Sequence, residues 1–230
     1  MKIQNEEKIS SNLVITFIGF TDYLVLEFLD AVIHDFNDSK NIDFLFIQSK
    51  DAGDKKDVVF KIKNNSIAKI RSNWPNKDVQ EEYVGNIYDF TNYLNLLKKY
   101  SNAQNLILNV SAGPYTYTSA ASIFGLMHGS IIYYNVLTAT KTTFFRPINT
   151  KPLKYIFNLI PIDREIINIL KNNKSCSVND LYILMNQNGI KSTTRNIQYR
   201  LNELYLEGIV FKSGKKSALY YLNEFIKTLL

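Results

Sequence analysis

The run LVITFIGF at residues 13–20 limits the folds open to this chain more than any other stretch. Its β-branched and aromatic residues do not alternate with polar ones, which is typical of a strand buried on both faces of a parallel sheet. An amphipathic pattern follows, with Leu24, Phe28 and Val32 on one helical face. Similar patterns continue along the chain, with strands at 42–49, 106–110 and 130–138 and helices at 86–100 and after residue 114.

This alternation predicts the fold class, because strands separated by helices form parallel sheets with right-handed crossovers. We expect an α/β protein in which residues 1–140 form a Rossmann-like, mostly parallel sheet domain. The segment 57–64 fits either a third, exposed strand or part of an irregular excursion. A linker at 141–160 is expected to lead to a second domain.

Two loops of the predicted sheet have the position and the chemistry of a ligand site. Ligands of parallel sheets collect at the carboxyl ends of the strands. One loop follows the first strand and contains Gly19, Phe20, Thr21 and Asp22. The other follows the strand at 106–110, and its candidate ligand-binding residues are Asn109, Ser111, Ala112, Gly113, Pro114, Tyr115 and Thr116.

The second loop suits an anion such as phosphate. Gly113 allows the backbone to approach a ligand closely, and Pro114 suits the first turn of a helix. The hydroxyl groups of Ser111, Tyr115 and Thr116 are expected beside free N–H groups at the positive end of a helix dipole. The alternative is that Gly-Pro simply ends a strand and starts a helix.

Residues 161–230 have the element order of a winged helix-turn-helix domain. Three helical patterns, at 161–173, 177–189 and 191–208, precede two alternating strands at 209–223. A Ser-Gly-Lys-Lys turn joins these strands. We therefore expect a C-terminal winged helix-turn-helix domain at 161–230.

The net charge of +6 lies entirely in the C-terminal part of the chain. Residues 1–150 contain 15 Lys/Arg and 15 Asp/Glu, whereas residues 151–230 contain 12 Lys/Arg and 6 Asp/Glu. A basic segment beside a neutral one indicates a polyanionic partner, and the alternative is an ordinary solvated surface. Double-stranded DNA is the partner that fits a winged helix, and the alternative is a winged helix used for protein contacts.

The third C-terminal helix and the hairpin supply the candidate DNA-binding residues. The polar face of that helix has side chains of the types that reach base edges and phosphates in a major groove. The hairpin turn adds lysines suited to backbone phosphates. The candidates are Ser192, Thr193, Thr194, Arg195, Gln198, Tyr199, Arg200, Lys212, Lys215 and Lys216.

Several function classes lack their sequence signatures. The chain has neither G-x-G-x-x-G after the first strand nor G-x-x-x-x-G-K-[ST], which weakens redox and NTP-hydrolysing interpretations. His34 and His128 lie on separate predicted helices, and we expect no metal site, no cofactor and no catalytic residue. The single Cys176 excludes an internal disulfide, and neither a signal peptide nor a membrane span is evident, so we expect a cytoplasmic protein.

The two halves together resemble a known family. A Rossmann-like domain with the loops IGFTDYLVLEFL and NVSAGPYTYTSAA, followed by a winged helix, is similar to the CARF (CRISPR-associated Rossmann fold) family. Within that family it resembles the CARF–winged helix-turn-helix transcriptional regulators of archaeal type I CRISPR systems. The resemblance implies a homodimer that shares a pocket for a cyclic oligoadenylate, most often cyclic tetra-adenylate. In the family's late loop, T-G-G-T and a basic residue stand where this chain has residues 111–114 and Tyr115.

Three functions are compatible with these patterns. The first is a dimeric DNA-binding regulator that senses a cyclic oligoadenylate. The second is a ring nuclease that cleaves the cyclic oligoadenylate, with Ser111 and Lys50 as candidate residues. The third is a winged-helix regulator, unrelated to CRISPR, that responds to another small molecule. In the first, Tyr115 and Tyr117 either stack on adenine or pack within the protein.

Overall fold

The structure of the protein is a computed structural model that describes residues 11–39, 41–137, 143–214 and 218–229. The chain divides into two compact units, and the boundary between them lies between Thr150 and Lys151. The first unit contains a six-stranded sheet. The second contains helices and a two-stranded hairpin.

The sheet of the first unit is mostly parallel. Its strand order is β3-β2-β1-β4-β5-β6, in which β1 to β5 run parallel and β6 runs antiparallel to β5. This is the strand order of a Rossmann fold, so the prediction of a Rossmann-like, mostly parallel sheet is confirmed. The strands are β1 (Asn12–Phe17), β2 (Ile42–Ser49), β3 (Val79–Val84), β4 (Asn105–Asn109), β5 (Ile131–Leu137) and β6 (Thr143–Asn149).

Helices cover both faces of this sheet. They are α1 (Tyr23–Phe36), α2 (Lys56–Asn73), α3 (Phe90–Lys99) and α4 (Tyr115–His128). Helices α1 and α2 pack on one face in a core that includes Val14, and α3 and α4 pack on the other in a core that includes Ile15. Because successive strand residues point to opposite faces, both faces of β1 must be apolar, which explains its uninterrupted sequence.

The segment 57–64 is helical, and both predicted alternatives for it are wrong. It lies in α2, which buries Ile62, Ser66 and Ile70 at helical spacing. The apparent alternation arose from Val58 and Phe60, which are apolar but exposed. Sequence patterning therefore failed where a surface helix carries apolar residues on its solvent side.

Two strands lie outside the predicted set. Strand β3 has the sequence VQEEYV, and its polar residues are tolerated because an edge strand pairs on one side only. Strand β6 falls within the predicted linker at 141–160, which is therefore wrong over most of its length. This strand pairs with β5, buries Phe145, and is separated from the next helix by the single residue Thr150.

The second unit packs its elements around one apolar core. They are α5 (Lys151–Phe157), α6 (Pro161–Asn172), α7 (Val178–Gln187), α8 (Thr194–Leu206), β7 (Val210–Ser213), β8 (Leu219–Leu222) and α9 (Glu224–Leu229). The predicted order of three helices and a hairpin is present as α6, α7, α8 and β7–β8. In addition, the backbone of Cys176 exchanges two hydrogen bonds of 2.9 Å with Tyr220, which joins the segment before α7 to the hairpin.

Candidate functional site

A cavity of about 240 Å³ lies at the carboxyl edge of the sheet, lined by the loops that follow β1, β2, β3 and β4. Strands β1 and β4 are neighbours at the point where the strand order reverses, and parallel sheets bind ligands in the crevice at this point. The lining is mainly apolar. It consists of Phe17, Ile18, Gly19, Phe20, Thr21, Leu24, Ser49, Asp51, Ala52, Val59, Ile87, Ala112, Gly113 and Pro114.

Asn109 holds the loops of this cavity together from within the core. Its side chain is fully buried and donates hydrogen bonds to Thr16 Oγ1 at 3.0 Å and to the Leu24 carbonyl at 2.9 Å. Its carbonyl oxygen accepts the N–H groups of Ser111 and Ala112. Both amide hydrogens and the carbonyl oxygen of Asn109 are thus used within the protein. Asn109 therefore positions the loop and does not contact a ligand as predicted.

The hydroxyl groups of Ser111 and Thr116 are also used within the protein. Ser111 Oγ accepts the N–H of Asn135 on β5 at 2.8 Å. Thr116 Oγ1 donates to the carbonyl of Ile87, which ties the start of α4 to the loop after β3. Tyr115, by contrast, is 91% exposed beside the cavity. Of the three predicted hydroxyls, that of Thr116 donates to a protein acceptor, whereas that of Ser111 only accepts here and can still donate.

Gly113 has a backbone conformation that favours glycine. Its φ is 97°, and a Cβ atom at this position would lie 2.7 Å from Cβ and Cγ of Phe17. Pro114 is the N-cap residue of α4, one position before the predicted first turn, and the buried Ala112 precedes this pair. The N-cap residue, Pro114, has no side-chain acceptor to cap α4, so the amides of its first turn retain capacity for an acceptor from a ligand.

The loop after β1 forms the opposite wall of the cavity. A Cβ atom added at Gly19 would lie 3.9 Å from Cα of Gly113, so the two predicted loops are close neighbours. Thr21 is exposed, and the Asp22 carboxylate accepts the N–H of Tyr23 at 2.8 Å as the N-cap of α1. Phe20 is 52% exposed and lines the cavity mouth.

Sequence reasoning missed the contribution of the loop after β2. Its short 3-10 turn, Gly53–Lys55, places the Lys55 ammonium 4.6 Å from the ring centroid of Phe20. Lys50 lines a neighbouring cleft, whereas Ser111 lines neither that cleft nor the cavity. The two residues proposed from sequence for ring cleavage therefore share neither of these sites. In the sequence, Lys55 is simply a lysine that follows a predicted strand, and this pattern is too common to indicate a ligand site.

In the second unit, several candidate DNA-binding residues lie in solvent. Arg195 is exposed at the start of α8, and Tyr199 is 57% exposed one turn later. Thr193 caps the helix by accepting the N–H of Asn196. Thr194 and Lys212 are exposed and Ser192 is partly so. Lys215 and Lys216 lie outside the described residues.

Gln198 and Arg200 face the protein interior, contrary to the prediction. The Arg200 guanidinium forms two hydrogen bonds with Asp163 of α6, which is 1% exposed, and a third with Tyr155 Oη of α5 at 2.6 Å. The hydrogen bonds to Asp163 raise the pKa of Arg200 above its usual range. Gln198 donates to Tyr220 Oη at 2.7 Å. Both side chains therefore fix α8 within its unit.

Among the described residues, no group of three His, Cys, Asp or Glu side chains is arranged to hold a metal ion. None of the helices in the described ranges has the length and apolarity needed to cross a bilayer. Burial, reinforced by the Asp180 carboxylate, raises the pKa of the Cys176 thiol, which disfavours its reactive thiolate.

No family model matches the chain, and no curated protein does. Among similar solved structures, Can2 from Sulfobacillus thermosulfidooxidans in complex with cyclic tetra-adenylate is 11% identical, with a TM-score of 0.37 over 95% of this chain and 63% of that one. Enterococcus italicus Csm6 bound to cyclic hexa-2′-fluoro-hexa-dAMP is 14% identical, with a TM-score of 0.44 over 86% and 55%. Protein VC1899 from Vibrio cholerae is 10% identical, with a TM-score of 0.36 over 96% and 64%. The chain thus spans between 55% and 64% of the length of these three structures.

Proposed function

We propose that the protein is a homodimeric, cytoplasmic DNA-binding regulator of the CARF–winged-helix type, which senses a cyclic oligoadenylate through its N-terminal unit. The observation that carries the proposal is the solvent face of α8. In the unit with the basic excess, this helix exposes Arg195 and Tyr199 and keeps its other arginine, Arg200, internal. The ion pair of Arg200 removes one charge of each sign from the surface, so the excess of six positive charges is undiminished.

The arrangement around α8 supports DNA binding. Helix α8 follows α7 after a short connection and is followed by the β7–β8 hairpin, as a recognition helix is followed by a wing. Recognition helices contact base edges with the residues near their N-terminus, which is where Arg195 lies. Lys212 on β7 adds a cation suited to a phosphate.

Selection of bound duplexes from a random DNA library, followed by salt-dependent titration, tests this half of the proposal. Arg195→Ala should weaken binding to the selected duplex by roughly 1–3 kcal/mol if Arg195 reads a base. The matched control is Arg164→Ala, which removes an exposed arginine from α6 in the same unit. Equal losses in the two variants would show that only general charge matters, and failure to select any duplex would exclude DNA recognition.

The cavity at the switch point supports the sensing half. Its apolar walls suit a purine base, while the uncapped first turn of α4 and the nearby lysine suit phosphate. Isothermal titration with cyclic tetra-adenylate and cyclic hexa-adenylate should give saturable binding, and cyclic tetra-uridylate is the matched control because pyrimidines stack less strongly. Absence of binding by both adenylates would remove this half and leave the DNA-binding half standing.

An apolar stripe on α4 supports the homodimer. Ile123, Leu126 and Met127 are 46%, 36% and 68% exposed, and their spacing places them on one side of the helix that begins at the cavity. A second copy that buried this stripe would pair the two molecules through the helices that begin at their cavities. Light scattering should report a dimer that Met127→Glu dissociates, whereas Val58→Glu, at an exposed apolar position of α2, should not dissociate it.

A further inference from the structure

An exposed aromatic ring stands at the mouth of the cavity with a cation over its face. Phe20 lines the cavity and exposes 52% of its surface. The Lys55 ammonium lies 4.6 Å from the centroid of this ring. The cation–π contact therefore occupies a surface on which a flat ligand group could stack.

Lys55 is available for an anion. Among the described side chains it forms no ion pair, although acidic residues lie nearby in the sequence. Asp51, which lines the cavity, directs a carboxylate oxygen to the N–H of Gly53 at 2.9 Å. Asp22 uses its carboxylate to cap α1. These two carboxylates are held by backbone donors, and the Lys55 ammonium lies over Phe20 without a carboxylate partner among the described side chains.

Two further exposed rings directly follow residues that line the cavity, since Tyr88 follows Ile87 and Tyr115 follows Pro114. Tyr88 and Tyr115 are 79% and 91% exposed. The hydrogen bond from Thr116 to the Ile87 carbonyl joins their two segments, and Ile87 itself lines the cavity. Aromatic rings from three loops, together with a lysine, are the chemistry that binds bases by stacking and phosphates by charge.

We propose that Phe20 and Lys55 form a clamp for one nucleotide of the ligand, in which the base stacks on Phe20 and the phosphate pairs with Lys55. This inference rests on the proposed function and names the residues through which this chain recognises its ligand. The base replaces the ammonium group on the ring, and the lysine turns to the phosphate that the base brings with it. Because an exposed cation–π contact is weak, this exchange costs little.

Titration with cyclic tetra-adenylate at several salt concentrations tests the clamp. Phe20→Leu keeps an apolar side chain without a ring and should lower affinity about tenfold, as expected for one stacked base. Lys55→Ala should lower affinity and reduce the dependence of log K on log salt by about 0.7, the value for one phosphate contact of a single strand. Lys61→Ala, at an exposed lysine of α2, is the control and should do neither.

The exchange itself has a spectroscopic signature. In the ligand-free protein, the ring current of Phe20 should shift the side-chain methylene resonances of Lys55 upfield, and saturating cyclic tetra-adenylate should abolish that shift. If the Lys55 resonances stay shifted in the presence of the ligand, the base does not replace the ammonium group on the Phe20 ring. If the wild type binds the ligand and Phe20→Leu and Lys55→Ala bind it equally well, the clamp is wrong and the sensing proposal stands. If the wild type binds neither cyclic tetra-adenylate nor cyclic hexa-adenylate, the clamp and the sensing proposal both fail.

Discussion

Gly113 is the residue on which the geometry of the cavity depends most directly. We expect Gly113→Ala to destabilise the protein, because an alanine at φ 97° is strained and its Cβ would lie 2.7 Å from Phe17. The Phe17 ring contacts Tyr93 and Tyr117 in the core, so it has little room to yield. Strain and overpacking together should lower the free energy of unfolding by about 3 kcal/mol, measured by urea denaturation.

Gly53→Ala is the control that separates the two contributions. Gly53 has a φ of 53°, but a Cβ atom there would meet nothing within 4 Å. We therefore expect only the backbone strain, about 1–2 kcal/mol. If both variants lose the same stability, the contact with Phe17 is not what requires glycine at position 113.

Tyr93 illustrates a different residue-scale effect, the burial of an unpaired hydroxyl group. Its side chain is fully buried, its oxygen has no hydrogen-bond partner among the described residues, and burial raises its pKa to about 12. The folded state thus holds the phenolic proton more tightly than the unfolded state. This contribution to stability is present below the ordinary pKa of 10.0 and is lost as the pH rises towards about 12.

Tyr93→Phe should therefore raise the free energy of unfolding by about 1 kcal/mol and move alkaline unfolding to higher pH. Circular dichroism recorded against pH and urea measures both effects. Tyr100→Phe is the matched comparison, because the Tyr100 hydroxyl donates to Glu82 at 3.1 Å and its removal should bring no gain. A clear loss of stability in Tyr93→Phe would mean that its hydroxyl has a partner after all.

At the scale of elements, one ion pair joins three helices of the second unit. Arg200 of α8 contacts Asp163 of α6 and Tyr155 of α5. Arg200→Ala would leave the Asp163 carboxylate buried without its counter-ion, which typically costs about 3–5 kcal/mol. We expect a large fall in the melting temperature of this unit and a loss of DNA binding that follows from unfolding.

Arg195→Ala should affect DNA binding without affecting stability, because Arg195 is exposed and its removal leaves no buried charge. Thermal unfolding should be unchanged while affinity for the selected duplex falls. The assignment of Arg200 to the interior would be contradicted if Arg200→Ala melted like the wild type and yet failed to bind DNA.

The sequence predicted the strands that are buried on both faces and the helices that follow a recognisable capping residue. Strand β1 is apolar throughout because both faces are covered, and α7 begins at a capping box formed by Ser177 and Asp180. Strand β3 was missed because this edge strand carries polar residues, and helix α2 was missed because it carries apolar residues on its solvent side. The inward turn of Arg200 was hidden because it depends on Asp163, which is 37 positions away and in sequence resembles an ordinary first-turn carboxylate.

On the scale of the whole molecule, the chain crosses once between its two units, and Thr150 marks the crossing. Its hydroxyl, fully buried, lies 2.7 Å from the Gly125 carbonyl of α4 and 2.8 Å from the Ser130 carbonyl. Helix α4 begins at the cavity, and α5 begins directly after Thr150. A shift of α4 on ligand binding would thus act on the start of α5, and Tyr155 of α5 contacts Arg200 of α8.

This route predicts that ligand and DNA affinities are coupled and that Thr150 and Tyr155 carry the coupling. Saturating cyclic tetra-adenylate should change the affinity for the selected duplex by roughly 5- to 150-fold, and the duplex should change the affinity for the ligand by the same factor. Thr150→Val and Tyr155→Phe, which delete one hydroxyl each, should bring this factor towards one while each partner alone still binds. Thr118→Val, which removes an exposed hydroxyl of α4, should leave it unchanged. Full coupling in both hydroxyl variants would mean that the signal travels by another path.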